Sequence, residues 1–97
     1  MIQVHDIFIA KPGQASKLAK LFKEAMTANP DLTNIMTDMT GQYNRVIMVT
    51  THENLTAYEK SFEKYKNASP ELKEMMAKME GYHEMFLTGS REIYQIW

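Results

Sequence analysis

Apolar residues fill both sides of the stretch from Tyr43 to Thr51. Val46, Ile47, Met48 and Val49 are consecutive, so on a pleated strand two point one way and two the other, and both pairs are apolar. Such a strand needs cover on both faces. Strand chemistry recurs from Ile2 to Ala10, closing on Ile7-Phe8-Ile9-Ala10, and from Met85 to Trp97, closing on Ile93-Tyr94-Gln95-Ile96-Trp97. Lys11-Pro12-Gly13-Gln14 stops the first of these, since proline removes a ladder donor and glycine permits the turn. Thr88-Gly89-Ser90 interrupts the last and predicts a bulge, a kink or a small hairpin. A fourth strand, diluted by Asn34, Asp38 and threonines, is read from Leu32 to Thr40, and Gly41-Gln42 offers a tight connection into the central strand, which makes the two a hairpin.

Helical spacing fills the gaps. Ala15, Leu18, Ala19, Phe22, Ala25 and Met26 recur on one side, with Leu21 beside them, while Lys17, Lys20, Lys23 and Glu24 take the other. Asn29-Pro30 closes this helix, because the residue before proline avoids the helical backbone. After the central strand, Asn54 is an N-cap for a helix with a narrow aromatic stripe of Leu55, Tyr58, Phe62 and Tyr65. Ser69-Pro70-Glu71 starts a third helix, with a capping serine, proline at the first position and an acid to meet the dipole. Leu72, Met75, Met76 and Met79 form its apolar stripe, and Gly81 ends it.

The resulting order is strand, helix, strand, strand, two helices, strand. This predicts an α+β, ferredoxin-like βαββ(αα)β sandwich: a four-stranded antiparallel sheet carrying its helices on one face. The other face is left bare. Four strands about 4.8 Å apart and about 20 Å long present roughly 400 Å² or more, and about ten inward side chains worth about 1.5 to 3 kcal/mol each when buried. Leaving them wet would forgo more than a domain's whole stability of about 5 to 15 kcal/mol. A second copy of the same sheet is the economical cover, so a two-fold homodimer is expected.

At 97 residues a single domain spanning residues 1–97 is expected. Eleven basic residues stand against 12 acidic ones, for a net charge of -1, which argues against nucleic acid as a partner. The absence of cysteine removes disulfides and thiolate chemistry and fits a reducing compartment. No stretch has the makings of an export signal or a membrane span. A cytoplasmic, soluble protein with no membrane partner is the reading.

In this setting the first strand running into Lys11-Pro12-Gly13-Gln14 and a helix, and the closing strand Arg91-Glu92-Ile93-Tyr94-Gln95-Ile96-Trp97, resemble sequences of the NIPSNAP and antibiotic-biosynthesis-monooxygenase types. These belong to the dimeric α/β-barrel superfamily, in which two ferredoxin-like subunits pack sheet to sheet. The resemblance implies that fold over nearly the whole chain. It implies no single reaction, since its members include cofactor-free oxygenases, haem-degrading enzymes, isomerases and ligand-binding regulators. The haem-degrading branch requires an asparagine on the first strand and a tryptophan and a histidine on later helices. Here the corresponding places carry Asp6, then Tyr58, Phe62 and Tyr65, with no histidine before His83, so no haem and no other cofactor is expected.

The candidate chemistry is sparse. His5, His52 and His83 lie on three different elements without paired ligand spacing, so no metal site is expected. Asp6 and Arg45 are charges inside strands, where solvent is scarce; they pair only if they share a face. In folds of the resembling type a cavity lies between sheet and helices, and Asp6 would point into it. Met75, Met76 and Met79 read either as core or as walls of an adaptable apolar pocket, methionine being unbranched and conforming to irregular shapes. A pocket of Tyr58, Phe62, Met75, Met76 and Met79, with Asp6, Arg45 or His83 near its mouth, would suit an elongated apolar small molecule, fatty-acyl or polyketide-like, with its head group on Arg45 or a tyrosine. The alternatives are a cofactor-independent oxygenase or isomerase of the same fold, and a dimerising interaction protein without ligand. No nucleophilic triad or phosphate-binding loop is present, and the residues leave catalysis open.

Overall fold

The computed structural model describes residues 1–63 and 69–97. Its elements are β1 (Ile2–Ala10), α1 (Ala15–Ala25), β2 (Leu32–Thr37), β3 (Arg45–His52), α2 (Leu55–Ser61), α3 (Pro70–Lys78), a 3-10 turn (Tyr82–Met85) and β4 (Phe86–Gln95). The strands form one antiparallel sheet in the order β2-β3-β1-β4. This is the expected ferredoxin-like arrangement, with the first and third strands central.

Local signals account for most of the boundaries. Gln14 N–H donates to Lys11 O at 2.9 Å, with Pro12 and a left-handed Gly13 (φ 80°) between them, the residue placement of a type II turn. Ser69 caps α3 through Leu72 N–H, and Pro70 stands in its first turn. Strand β2 stops at Thr37 rather than Thr40, because Asp38 closes the loop: its Oδ1 accepts from Arg45 N–H at 2.7 Å and its own N–H donates to Arg45 O at 3.2 Å. The hairpin loop over 38–44 is therefore longer than a Gly41-Gln42 turn, and Asn44 (φ 63°) shares the left-handed backbone with Gly41. Helix α2 ends at Ser61, short of the predicted stripe; Tyr65 lies outside the described residues.

Strand β4 continues through Thr88-Gly89-Ser90. The irregularity falls one residue earlier: Ala10 faces Phe86 and Ile9 faces Thr88, leaving Leu87 as the extra residue of a bulge. Gly89 is required by close approach, since a Cβ there would stand 3.0 Å from Ile7 O.

The pleat assigns the faces. Ile2, Val4, Phe8 and Ala10 of β1 share a face with Val46, Met48, Thr50 and His52 of β3, and α1 packs Leu18 and Phe22 onto it; Ala10, Leu18, Phe22 and Val46 make a core cluster less than 2% exposed. Ala25, Met26 and Met75 make a second cluster between α1 and α3. The opposite face carries Ile7, Ile9, Met36, Ile47 and Val49 at its centre and a polar row, Thr88, Ser90, Glu92 and Tyr94, along β4. That is fewer apolar side chains than the expected ten, since Gln3 and His5 also occupy this face. Among the described residues no helix is long and apolar enough to cross a membrane.

Candidate functional site

Between the helix-bearing face of the sheet and the helices lies a cavity of about 820 Å³. Its floor is Asp6 and Phe8 of β1 with Met48, Thr50 and His52 of β3; α1 and its C-cap contribute Phe22 and Met26, α2 and its C-cap Tyr58 and Phe62, α3 and its C-cap Met75, Met76 and Met79, and the 3-10 turn Tyr82 and His83. These are the residues that the pleat and the helical repeat direct inward. Of the residues singled out from sequence, Asp6, Tyr58, Phe62, Met75, Met76, Met79 and His83 line this one space.

Arg45 does not. It stands opposite Ile9, on the face away from the helices, and its guanidinium lies against the hairpin loop, where a Cβ on Gly41 would be 3.1 Å from Nη2. It shares no face with Asp6, so the pairing considered from sequence is ruled out by register. The cation that meets Asp6 at the cavity is Arg91, and Lys73 of α3 is a second cation on the wall. Arg91 stands opposite Asp6 in the β1–β4 ladder, and its Nε donates to Asp6 Oδ1 at 2.5 Å. The guanidinium also lies 5.7 Å from the Tyr58 ring centroid and 5.9 Å from that of Phe62, within cation–π range. The hydrogen bond to Asp6 raises the Arg91 pKa further above its already high ordinary value.

Tyr58 is the centre of the polar end. Its Oη is buried and has no hydrogen-bond partner among the described residues. Burial raises its pKa; the Arg91 charge opposes this and the Asp6 charge adds to it, so the phenol is a neutral donor at physiological pH. Beside it stands His52, 7% exposed, with ring centroids 4.9 Å apart. His52 Nε2 is 3.0 Å from Thr50 Oγ1, and Nδ1 is 3.9 Å from Asp31 Oδ2. At the far end Tyr82 packs against Phe8, Phe22 and Phe86. The cavity is thus polar where α2 crosses β3, and apolar elsewhere. No group of three or more potential metal ligands occurs among the described residues.

Arg91, His52, Thr50 and Asp31 were missed from sequence as site residues. One signal existed: a charge at Asp6 inside a strand demands a counter-charge, and Arg91 lies two residues before Ile93 on the alternation of the last strand. Choosing it over Arg45 needs the register between β1 and β4, which no local pattern supplies.

Helix α2 holds Tyr58 in place and spans only Leu55–Ser61, so its cap matters more than usual. Asn54 Oδ1 accepts from Ala57 N–H at 2.8 Å. Asn54→Ala is expected to cost about 1 kcal/mol, seen as faster amide hydrogen exchange across α2 with little change in α1; equal protection of α2 in both proteins would remove the cap from the account.

No protein-family model matches the sequence, and no curated protein does. Solved structures match its fold. A NIPSNAP-like domain protein from Burkholderia xenovorans aligns with a TM-score of 0.75 at 18% identity, covering 99% of this chain and 84% of that one. A NIPSNAP family protein from Agrobacterium tumefaciens strain C58 gives 0.75 at 13% identity, over 99% and 85%. An antibiotic biosynthesis monooxygenase gives 0.63 at 11% identity, over 100% and 99%. At these identities the likeness is one of fold, and it agrees with the resemblance carried by the first and closing strands.

Proposed function

We propose that this chain is a homodimeric small-molecule-binding domain whose ligand is an elongated, mostly hydrocarbon molecule lying between sheet and helices. The observation that carries the reading is the cavity itself: its volume of about 820 Å³ falls in the range of small-molecule sites, roughly 300 to 1,000 Å³. Methionines from α1, β3 and α3 wall it, Met26, Met48, Met75, Met76 and Met79, and such side chains conform to a flexible guest. A sugar or a nucleotide would leave many polar groups unpaired against them. Burial is worth about 0.8 kcal/mol per methylene, so eight methylenes supply roughly 6 kcal/mol before the costs of immobilisation. The second copy covers the bare face of the sheet, away from the cavity.

Purified protein extracted with solvent and analysed by mass should release an apolar molecule, or wild type should bind medium-chain probes in calorimetric titration. Met76, 48% exposed at the cavity wall, tolerates enlargement without core strain, and Met76→Trp should weaken binding at least tenfold. If wild type binds no such probe, or the blocked variant binds equally well, the pocket reading fails.

A second reading, a cofactor-independent oxygenase or isomerase, draws on His52. A buried imidazole flanked by Asp31 and Tyr58 is the kind of group that takes a proton from a bound carbon acid. Under this reading His52→Gln abolishes turnover of a bound ligand, by oxygen uptake or solvent-deuterium exchange, and leaves its affinity within a few-fold.

A further inference from the structure

We infer that the ligand's head group is a neutral hydrogen-bond acceptor, a ketone or ester carbonyl held by Tyr58 Oη, and that the cavity discriminates against a free carboxylate. The inference rests on the apolar-ligand reading above and adds the chemistry of the head group. Three observations carry it. Tyr58 lines the cavity and its buried Oη has no hydrogen-bond partner among the described residues; a buried donor left unpaired costs stability that a ligand acceptor restores. Arg91, the cation beside it, is already neutralised by Asp6 at 2.5 Å, so it has no spare charge to offer an acid. Among the described residues the cavity wall carries three carboxylates, Asp6, Asp31 and Glu80, against two cations, Lys73 and Arg91. A carboxylate brought to Tyr58 would lose its water and meet Asp6 and Asp31; a carbonyl there meets only a donor.

The same geometry gives Asp6 a role at the polar end of the cavity. It cancels Arg91, and so keeps fatty acids, the commonest amphiphiles of matching shape, from competing with a neutral guest. This is specificity by a repulsive element as well as an attractive one.

The experiment is calorimetric titration of two probes of equal length, decan-2-one and decanoate, into wild type, Tyr58→Phe, Asp6→Asn and Lys73→Ala at neutral pH, with circular dichroism and melting curves confirming that each variant is folded. Wild type is expected to bind the ketone at least tenfold more tightly than the acid. Tyr58→Phe should lose about five- to tenfold for the ketone and little for the acid. Asp6→Asn, nearly isosteric, frees Arg91 and should raise decanoate affinity tenfold or more; Arg91→Gln serves as the second variant should Asp6→Asn not fold, and should leave decanoate as weak as in wild type. Decanoate binding equal to or tighter than the ketone in wild type, or decanoate binding lost in Lys73→Ala, overturns the inference while the apolar-pocket reading stands. Failure of both probes to bind any of the proteins overturns both together.

Discussion

Phe22→Ala is expected to destabilise the protein by about 3 to 5 kcal/mol, the range for removing a buried ring. Phe22 is fully buried and holds α1 to the sheet: its ring is 4.9 Å from Phe8 and 5.9 Å from Tyr82, and it shares a cluster with Ala10, Leu18 and Val46. A void left by the ring adds a cavity term to the lost transfer term. Against a typical total of about 5 to 15 kcal/mol, the loss is a large share, and in a domain of this size it should lower Tm by more than about 12 °C. Urea and thermal melts at fixed protein concentration provide the measurement, with Lys20→Ala, on the solvent side of α1, expected within about 0.5 kcal/mol of wild type. A loss below 1 kcal/mol for Phe22→Ala would mean that α1 is not seated as described. Phe22 also lines the cavity, so the variant should lose ligand binding at temperatures where it is still folded.

The second large effect is on assembly. The structure measures 36 × 34 × 19 Å, and the short dimension is filled by one sheet and one helical layer, each about 10 Å thick. No third layer covers Ile7, Ile9, Met36 and Ile47. The broad face exceeds the roughly 800 Å² per partner of a standard interface, and its apolar centre bordered by a polar row has the anatomy of one. We expect wild type to run at twice its 11.3 kDa chain mass in light scattering at micromolar concentration. Ile47→Glu should run as a folded monomer, because taking a carboxylate out of water between two sheets costs more than pairing with Arg45, on the same face, returns, while the side chain points away from the helices and leaves the core intact. Thr88→Glu, in the polar row, should stay dimeric. A wild-type monomer, or an Ile47→Glu dimer of unchanged affinity, defeats the expectation.

Much of the fold is legible in the chain because it rests on short-range rules. The stripe Leu18, Phe22 and Ala25 is the buried face of α1; Asn54 and Ser69 cap α2 and α3; the order of elements alone leads to the observed sheet. Helical repeat and pleat also place Asp6, Tyr58, Phe62, Met75, Met76 and Met79 toward one another, so six of the cavity's residues follow from which way each element faces.

What stays hidden is the register between elements far apart in sequence. Within a strand the period of two assigns faces, but a slip of one residue between strands exchanges them all, and the slip is decided by the summed packing of the sheet. Asp6 and Arg91 are 85 residues apart and meet because β1 and β4 pair in one register, with Leu87 bulged out and Gly89 admitting the Ile7 carbonyl. Arg45, closer in sequence and on the neighbouring central strand, stands opposite Ile9 and so lies on the other face. The residue types therefore determined by themselves that a lone acid in an apolar strand needs a cation. Only the tertiary structure decided that the cation is Arg91, because strand pairing is a property of the whole sheet.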